Sequence, residues 1–191
     1  MTSVRGVVLF PGSGSSASHS SLVAVESALA PLPVARIDFP YRIAGKRFPD
    51  KAPVLVKHVK DEVTAFARSL GVPTSSLVIG GRSMGGRMCS MAVADAPEAL
   101  DVAGLILISY PLHPPKKPTQ LRIEHLPNIT VRTLCISGTK DDFGSPVELT
   151  EAFSVVPADV TWNWVENARH ELARKDEIVA NAVSEWLLAL T

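Results

Sequence analysis

The chain has 191 residues, which suits one domain over 1–191, and 46% of them are hydrophobic, enough for a large core. Its 19 basic and 19 acidic residues cancel, which argues against a dedicated nucleic-acid or anionic-membrane surface. No apolar run approaches membrane-spanning length, and Val7-Val8-Leu9-Phe10 is too short for a signal peptide.

Along the chain, short apolar runs alternate with helical patterns. The runs are Val4–Phe10, Val34–Phe39, Leu77–Gly80, Gly104–Tyr110, Val131–Ser137 and Val160–Val165. Most are continuous, as in strands buried on both faces. Between them, Leu22, Val25 and Leu29 make one helical stripe, and Val56, Val59, Val63, Phe66 and Leu70 make another. Met84 to Ala96 has helical character with small residues, and Ile178, Val179, Val183, Trp186, Leu187 and Leu190 form a C-terminal stripe. This alternation predicts an α/β fold: a mostly parallel six-stranded sheet with helices on both faces and no cap domain. The proline-rich segment 111–118 reads as a loop leaving the fourth strand, where site loops of open α/β sheets lie. Trp162, Trp164 and Trp186 read as packing residues. Cys89 and Cys135 sit in apolar contexts, so a reduced, buried pair and a cytoplasmic setting are expected.

The segment Gly80-Gly81-Arg82-Ser83-Met84-Gly85-Gly86-Arg87 carries the chemistry. Gly81-x-Ser83-x-Gly85 is the pattern of a sharp strand-to-helix turn that lifts a serine oxygen above the sheet. It leaves the Met84 N–H free to stabilise an oxyanion. A serine nucleophile needs a base and an orienting acid, and the turn resembles that of α/β-hydrolases, in which the chain order is serine, acid, histidine. Of five histidines only His170 lies beyond the later acid candidates. In Gly138-Thr139-Lys140-Asp141-Asp142 both acids qualify; spacing favours Asp141, while Asp142 suits a helix cap. A second oxyanion donor is expected from the loop after the first strand, at Ser13 N–H or Gly14 N–H, ahead of a helix starting near Ser18. Arg82 is a candidate for a substrate carboxylate or for holding the turn. Tyr41, Arg42 and His113 are candidate substrate contacts. No His, Cys and carboxylate cluster has metal-ligand spacing, and no cofactor is expected.

A rival reading starts from the same loop. Gly12-x-Gly14-x-x-Ala17 with Asp38 after the second run matches a loose dinucleotide fingerprint. It leaves Ser83, Asp141 and His170 without a role.

Taken together, the residues resemble the α/β-hydrolase superfamily, and more narrowly a small, capless group related to dienelactone hydrolases. That group includes the hydrolase-like subunit of a histone acetyltransferase complex and a testis-expressed relative. The matching pieces are Pro11-Gly12-Ser13-Gly14 with His19, Phe39-Pro40-Tyr41-Arg42, Arg47-Phe48-Pro49-Asp50, the Ser83 segment, Ser109-Tyr110-Pro111-Leu112-His113, Gly138-Thr139-Lys140-Asp141 and Asn167-Ala168-Arg169-His170. Two departures stand out. Pro11 replaces a histidine common in relatives, and Ser83 stands where dienelactone hydrolases proper use cysteine. The resemblance implies Ser83 as nucleophile, Asp141 as acid and His170 as base. The expected activity is a serine esterase or related acyl hydrolase on a small or exposed ester-type substrate, with no nucleic-acid or membrane partner. The alternative is a noncatalytic interaction module on the same fold.

Overall fold

The computed structural model describes residues 4–190. Six strands form one parallel sheet: β1 (Gly6–Phe10), β2 (Val34–Arg36), β3 (Leu77–Arg82), β4 (Gly104–Ile108), β5 (Thr133–Gly138) and β6 (Val160–Val165), in the order β2-β1-β3-β4-β5-β6. The expected α/β class and six strands are present, and every strand pair is parallel.

The helices are α1 (Ser20–Leu29), α2 (Pro40–Ile43), α3 (Ala52–Leu70), α4 (Met84–Ala94), α5 (Pro146–Phe153) and α6 (Asp176–Leu190). Alternation along β1 sends Val7 and Leu9 to one face, in a core with Leu22 and Val25 of α1 and Val179 and Val183 of α6. Val8 and Phe10 go to the other face, with Val59 and Val63 of α3, Met88 and Cys89 of α4, and Phe153 of α5. Both faces are buried, which is why the strand runs read as continuous. Trp186 is buried in the α1–α6 core, while Trp162 and Trp164 stack at 4.5 Å on the partly buried edge strand β6.

Several boundaries differ from the sequence reading for local reasons. β2 stops at Arg36, before Asp38, whose side chain turns to accept a hydrogen bond from Ala17 N–H at 2.8 Å. β4 stops at Ile108 because Ser109 takes φ +52°, outside the strand region. α1 starts at Ser20 rather than near Ser18, because the His19 side chain caps it by accepting from Ser21 N–H. The short α2 lies where no apolar stripe is long enough to announce it. α5 starts with a capping box in which Ser145 and Glu148 satisfy each other's backbone.

β1 and β3 are neighbours, but the chain leaves β1 toward β2 and returns on the other side. Their C-terminal ends therefore border a topological switch point, where open α/β sheets form their crevice. Among the described residues, the connection from β4 to β5 holds only one 3-10 turn, Leu126–Asn128, and no helical cap over this edge.

Candidate active site

Ser83 joins β3 directly to α4. It takes φ +49° and ψ −117°, a costly conformation for a residue with a side chain, and its N–H donates to the Ile108 carbonyl at 2.8 Å. The glycines around it are required by close approach. A Cβ on Gly81 or on Gly85 would lie 2.2 Å from the Phe10 carbonyl oxygen. Any side chain there would push β3 or α4 off β1 and open the turn.

Two loops bring the other groups to Ser83. The loop after β5 and the loop after β6 are stitched together: Lys140 N–H donates to the Ala168 carbonyl at 2.9 Å, and Asn167 N–H donates to Thr139 Oγ1 at 2.9 Å. This holds Asp141 against His170. The His170 Nδ1 lies 3.0 and 2.9 Å from the two Asp141 carboxylate oxygens. His170 Nε2 lies 2.9 Å from Ser83 Oγ. An ionised carboxylate only accepts, so Nδ1 carries the proton and Nε2 is the basic nitrogen facing the serine. The Asp141 side chain is 0% exposed, whereas that of Asp142 is 68% exposed and sits 3.6 Å from Arg169. Asp142 caps no helix; Ser145 does that.

Two groups that the sequence reading did not single out complete the frame. Phe143 stacks on the His170 ring at 3.9 Å, and its N–H donates to Asp141 Oδ1 at 2.8 Å. A lone phenylalanine two residues after an acid has no sequence signature. Glu171 accepts from Arg82 Nη2 at 2.8 Å, and the same nitrogen donates to the His170 carbonyl at 2.8 Å. Arg82, with its side chain 4% exposed, thereby ties the histidine loop to the strand that carries Ser83.

A cleft of about 580 Å³ opens above Ser83 and His170, and Ser13, Gly14, Met84 and Arg82 also line it. Met84 is the first residue of α4, so its N–H has no partner within the helix. Tyr41 is fully buried, and its hydroxyl donates to the Ser13 carbonyl at 2.7 Å. The Ser13–Gly14 peptide is planar, so pinning the carbonyl aims the Gly14 N–H the opposite way. Tyr41 thus sits behind the loop rather than in the cleft. Arg42 is exposed and outside the cleft lining. His113 is buried outside it too, with Nδ1 3.0 Å from the Pro114 carbonyl and Nε2 3.5 Å from Glu148. His19 lines the cleft, and burial followed by the Arg82 charge lowers its pKa. Cys89 and Cys135 are buried thiols whose pKa burial pushes up, so neither is a thiolate nucleophile. Among the described residues no three His, Cys, Asp or Glu side chains converge as a metal site, and no helix is long and apolar enough to cross a membrane.

The comparisons with known proteins agree with this architecture. The family model described as "Alpha/beta hydrolase domain" matches residues 4–186. Among solved structures, the chain is similar to Est1E from Butyrivibrio proteoclasticus with ferulic acid bound, at 17% identity and a TM-score of 0.75, covering 100% of this chain and 90% of that one. It is similar to a monoacylglycerol lipase from Paleococcus ferrophilus, at 16% identity and a TM-score of 0.75, covering 100% and 96%. A dienelactone hydrolase from Anabaena variabilis matches at 20% identity and a TM-score of 0.69, covering 97% and 87%. At these identities the solved structures carry the fold, and the family model carries the membership. The chain belongs to the alpha/beta hydrolase domain family.

Proposed function

We propose that the protein is a serine hydrolase that cleaves ester-type acyl compounds through a covalent acyl-enzyme. The observation that carries this reading is the unbroken relay from Ser83 Oγ to His170 Nε2 to the buried Asp141 carboxylate, with 2.9 Å at each link. It stands on a turn whose backbone is strained at the serine itself.

In the first step Ser83 Oγ attacks the substrate carbonyl carbon and its proton passes to His170 Nε2. The carbonyl electron pair moves onto oxygen, where the Met84 N–H and a loop N–H from Ser13 or Gly14 stabilise the charge. Collapse breaks the bond to the leaving oxygen, which takes the proton from Nε2. Water, deprotonated by the same nitrogen, then attacks the acyl carbon; the bond to Oγ breaks and Ser83 regains its proton. Asp141 holds the imidazole tautomer and stabilises the imidazolium at each stage. The test is hydrolysis of short 4-nitrophenyl esters. Activity that disappears in Ser83→Ala supports the reading; equal activity in Ser83→Ala overturns it.

Two other readings fit less of the site. Nucleotide binding needs Asp38 free for a ribose, but its carboxylate is engaged with Ala17 N–H. A noncatalytic interaction module, as in the histone acetyltransferase resemblance, gives no reason for an aligned relay in an open cleft.

A further inference from the structure

We propose that Arg87 and Arg122 form an anion subsite beside Ser83, so that the preferred ester carries a carboxylate. This rests on the serine-hydrolase reading for the bond that is cut; the subsite itself stands on separate observations.

Three guanidinium groups line the cleft: Arg82, Arg87 and Arg122. Their charges are met unequally. Arg82 is neutralised by Glu171 at 2.8 Å. The other arginine ion pairs belong to Arg36, Arg132 and Arg169, and among the described residues Arg87 and Arg122 make none. Arg87 Nε, like Arg82 Nε, is buried without a hydrogen-bond partner, but among the described residues Arg87 has no carboxylate on its other nitrogens. Arg122 Nη1 donates to the Pro111 carbonyl at 3.1 Å, a neutral acceptor. The two cations also feel each other: burial first, then the Arg87 charge, lowers the Arg122 pKa. Two like charges in a partly desolvated cleft, neither of them ion-paired, form a field that a bound anion relieves.

Their placement fits a substrate already seated on Ser83. Arg87 follows Ser83 by one helical turn, with its N–H donating to the Ser83 carbonyl at 3.1 Å. Residues four apart share a helix face, and helical side chains lean toward the N-terminus, here toward the cleft. Arg122 approaches beside Pro111 from the loop after β4. A carboxylate several bonds from the reacting carbon would meet both. The planar fork of guanidinium matches carboxylate oxygens in pairs. A wholly neutral substrate would cover both cations without pairing them, which is unfavourable. The attraction acts on binding and orientation; the acyl-transfer steps are unchanged.

The test compares kcat/KM within two matched pairs. One is the 4-nitrophenyl monoester of glutarate against its methyl ester, with the charge on the acyl side. The other is 4-acetoxybenzoate against its methyl ester, with the charge on the leaving side. The wild-type protein is expected to prefer the anion about tenfold or more in at least one pair. Arg87→Gln and Arg122→Gln should each collapse that ratio, Arg87→Lys should keep part of it, and 0.5 M salt should weaken it. A preference for the neutral member in both pairs overturns the proposal, as does a ratio unmoved by either glutamine substitution. Calorimetry of free glutarate with Ser83→Ala reads the subsite without turnover. Glutarate binding lost on adding Arg87→Gln supports the subsite even where Ser83 proves inert, and then only the hydrolase reading falls. Turnover of neutral esters with no glutarate binding overturns the subsite and leaves the hydrolase reading standing.

Discussion

Asp141 and Asp142 are adjacent, yet one is buried against His170 Nδ1 and the other is in solvent beside Arg169. Sequence could rank them by spacing but could not see burial, because neighbouring side chains on a loop point in directions only the folded backbone decides. The account predicts that Asp141→Asn lowers kcat on a short ester on the order of 10³-fold or more, since an amide no longer fixes the imidazole tautomer. Asp142→Asn should stay within about twofold, as expected for an exposed ion pair. Steady-state kinetics of the two variants side by side checks this; equal losses would contradict the assignment of roles. Phe143 escaped the sequence reading for a related reason: its stacking on His170 arises from the tight turn after Asp141, not from any residue pattern.

Among elements, the loop after β1 shows how a buried side chain can serve the site from behind. Tyr41 was legible as a residue near the site edge, but its direction was not, because the short α2 that carries it has no periodic signature. Tyr41→Phe removes the hydrogen bond to the Ser13 carbonyl. It should cost about 1 kcal/mol of stability and lower kcat more than it raises KM. Urea unfolding together with steady-state kinetics reads both; a change in KM alone would place Tyr41 with substrate instead. The contact of α4 with β1 is less forgiving. In Gly85→Ala the new methyl would lie 2.2 Å from the Phe10 carbonyl. Destabilisation on the order of 3 kcal/mol is expected, measured as a lowered denaturation midpoint. The flanking glycines of the serine motif were visible in sequence, and the structure supplies the reason for them, which is backbone contact rather than conformational freedom alone.

For the molecule as a whole, a partly buried group outside the relay, His125, sets a pH dependence of stability. Ser90 Oγ donates to the Arg87 carbonyl at 2.8 Å, which leaves it to accept from His125 Nε2 at 2.8 Å. Burial, then the Arg87 charge, pushes the His125 pKa from 6.5 down to about 4, against a smaller opposing effect of Glu124. Between these values the unfolded chain binds a proton that the folded chain refuses. Stability should therefore fall as pH drops from about 6.5 to 4, by about 3 kcal/mol in all. Chemical denaturation across that range checks the slope, and His125→Gln should flatten it. The sheet as a whole was legible because burial on both faces writes itself as unbroken apolar runs. Strand ends were less so, since Ser109 leaves β4 by a backbone twist and Asp38 leaves β2 for a hydrogen bond to Ala17. The unpaired charges of Arg87 and Arg122 were invisible in a chain whose totals sum to zero.

The central claim is that Ser83 is a nucleophile activated by His170. Treatment of the folded protein with a fluorophosphonate, followed by peptide mass spectrometry, tests it directly. The account predicts a single phosphonyl adduct on Ser83, formed in the wild type and strongly slowed in His170→Ala. A folded wild-type protein that carries no adduct on Ser83 would contradict it.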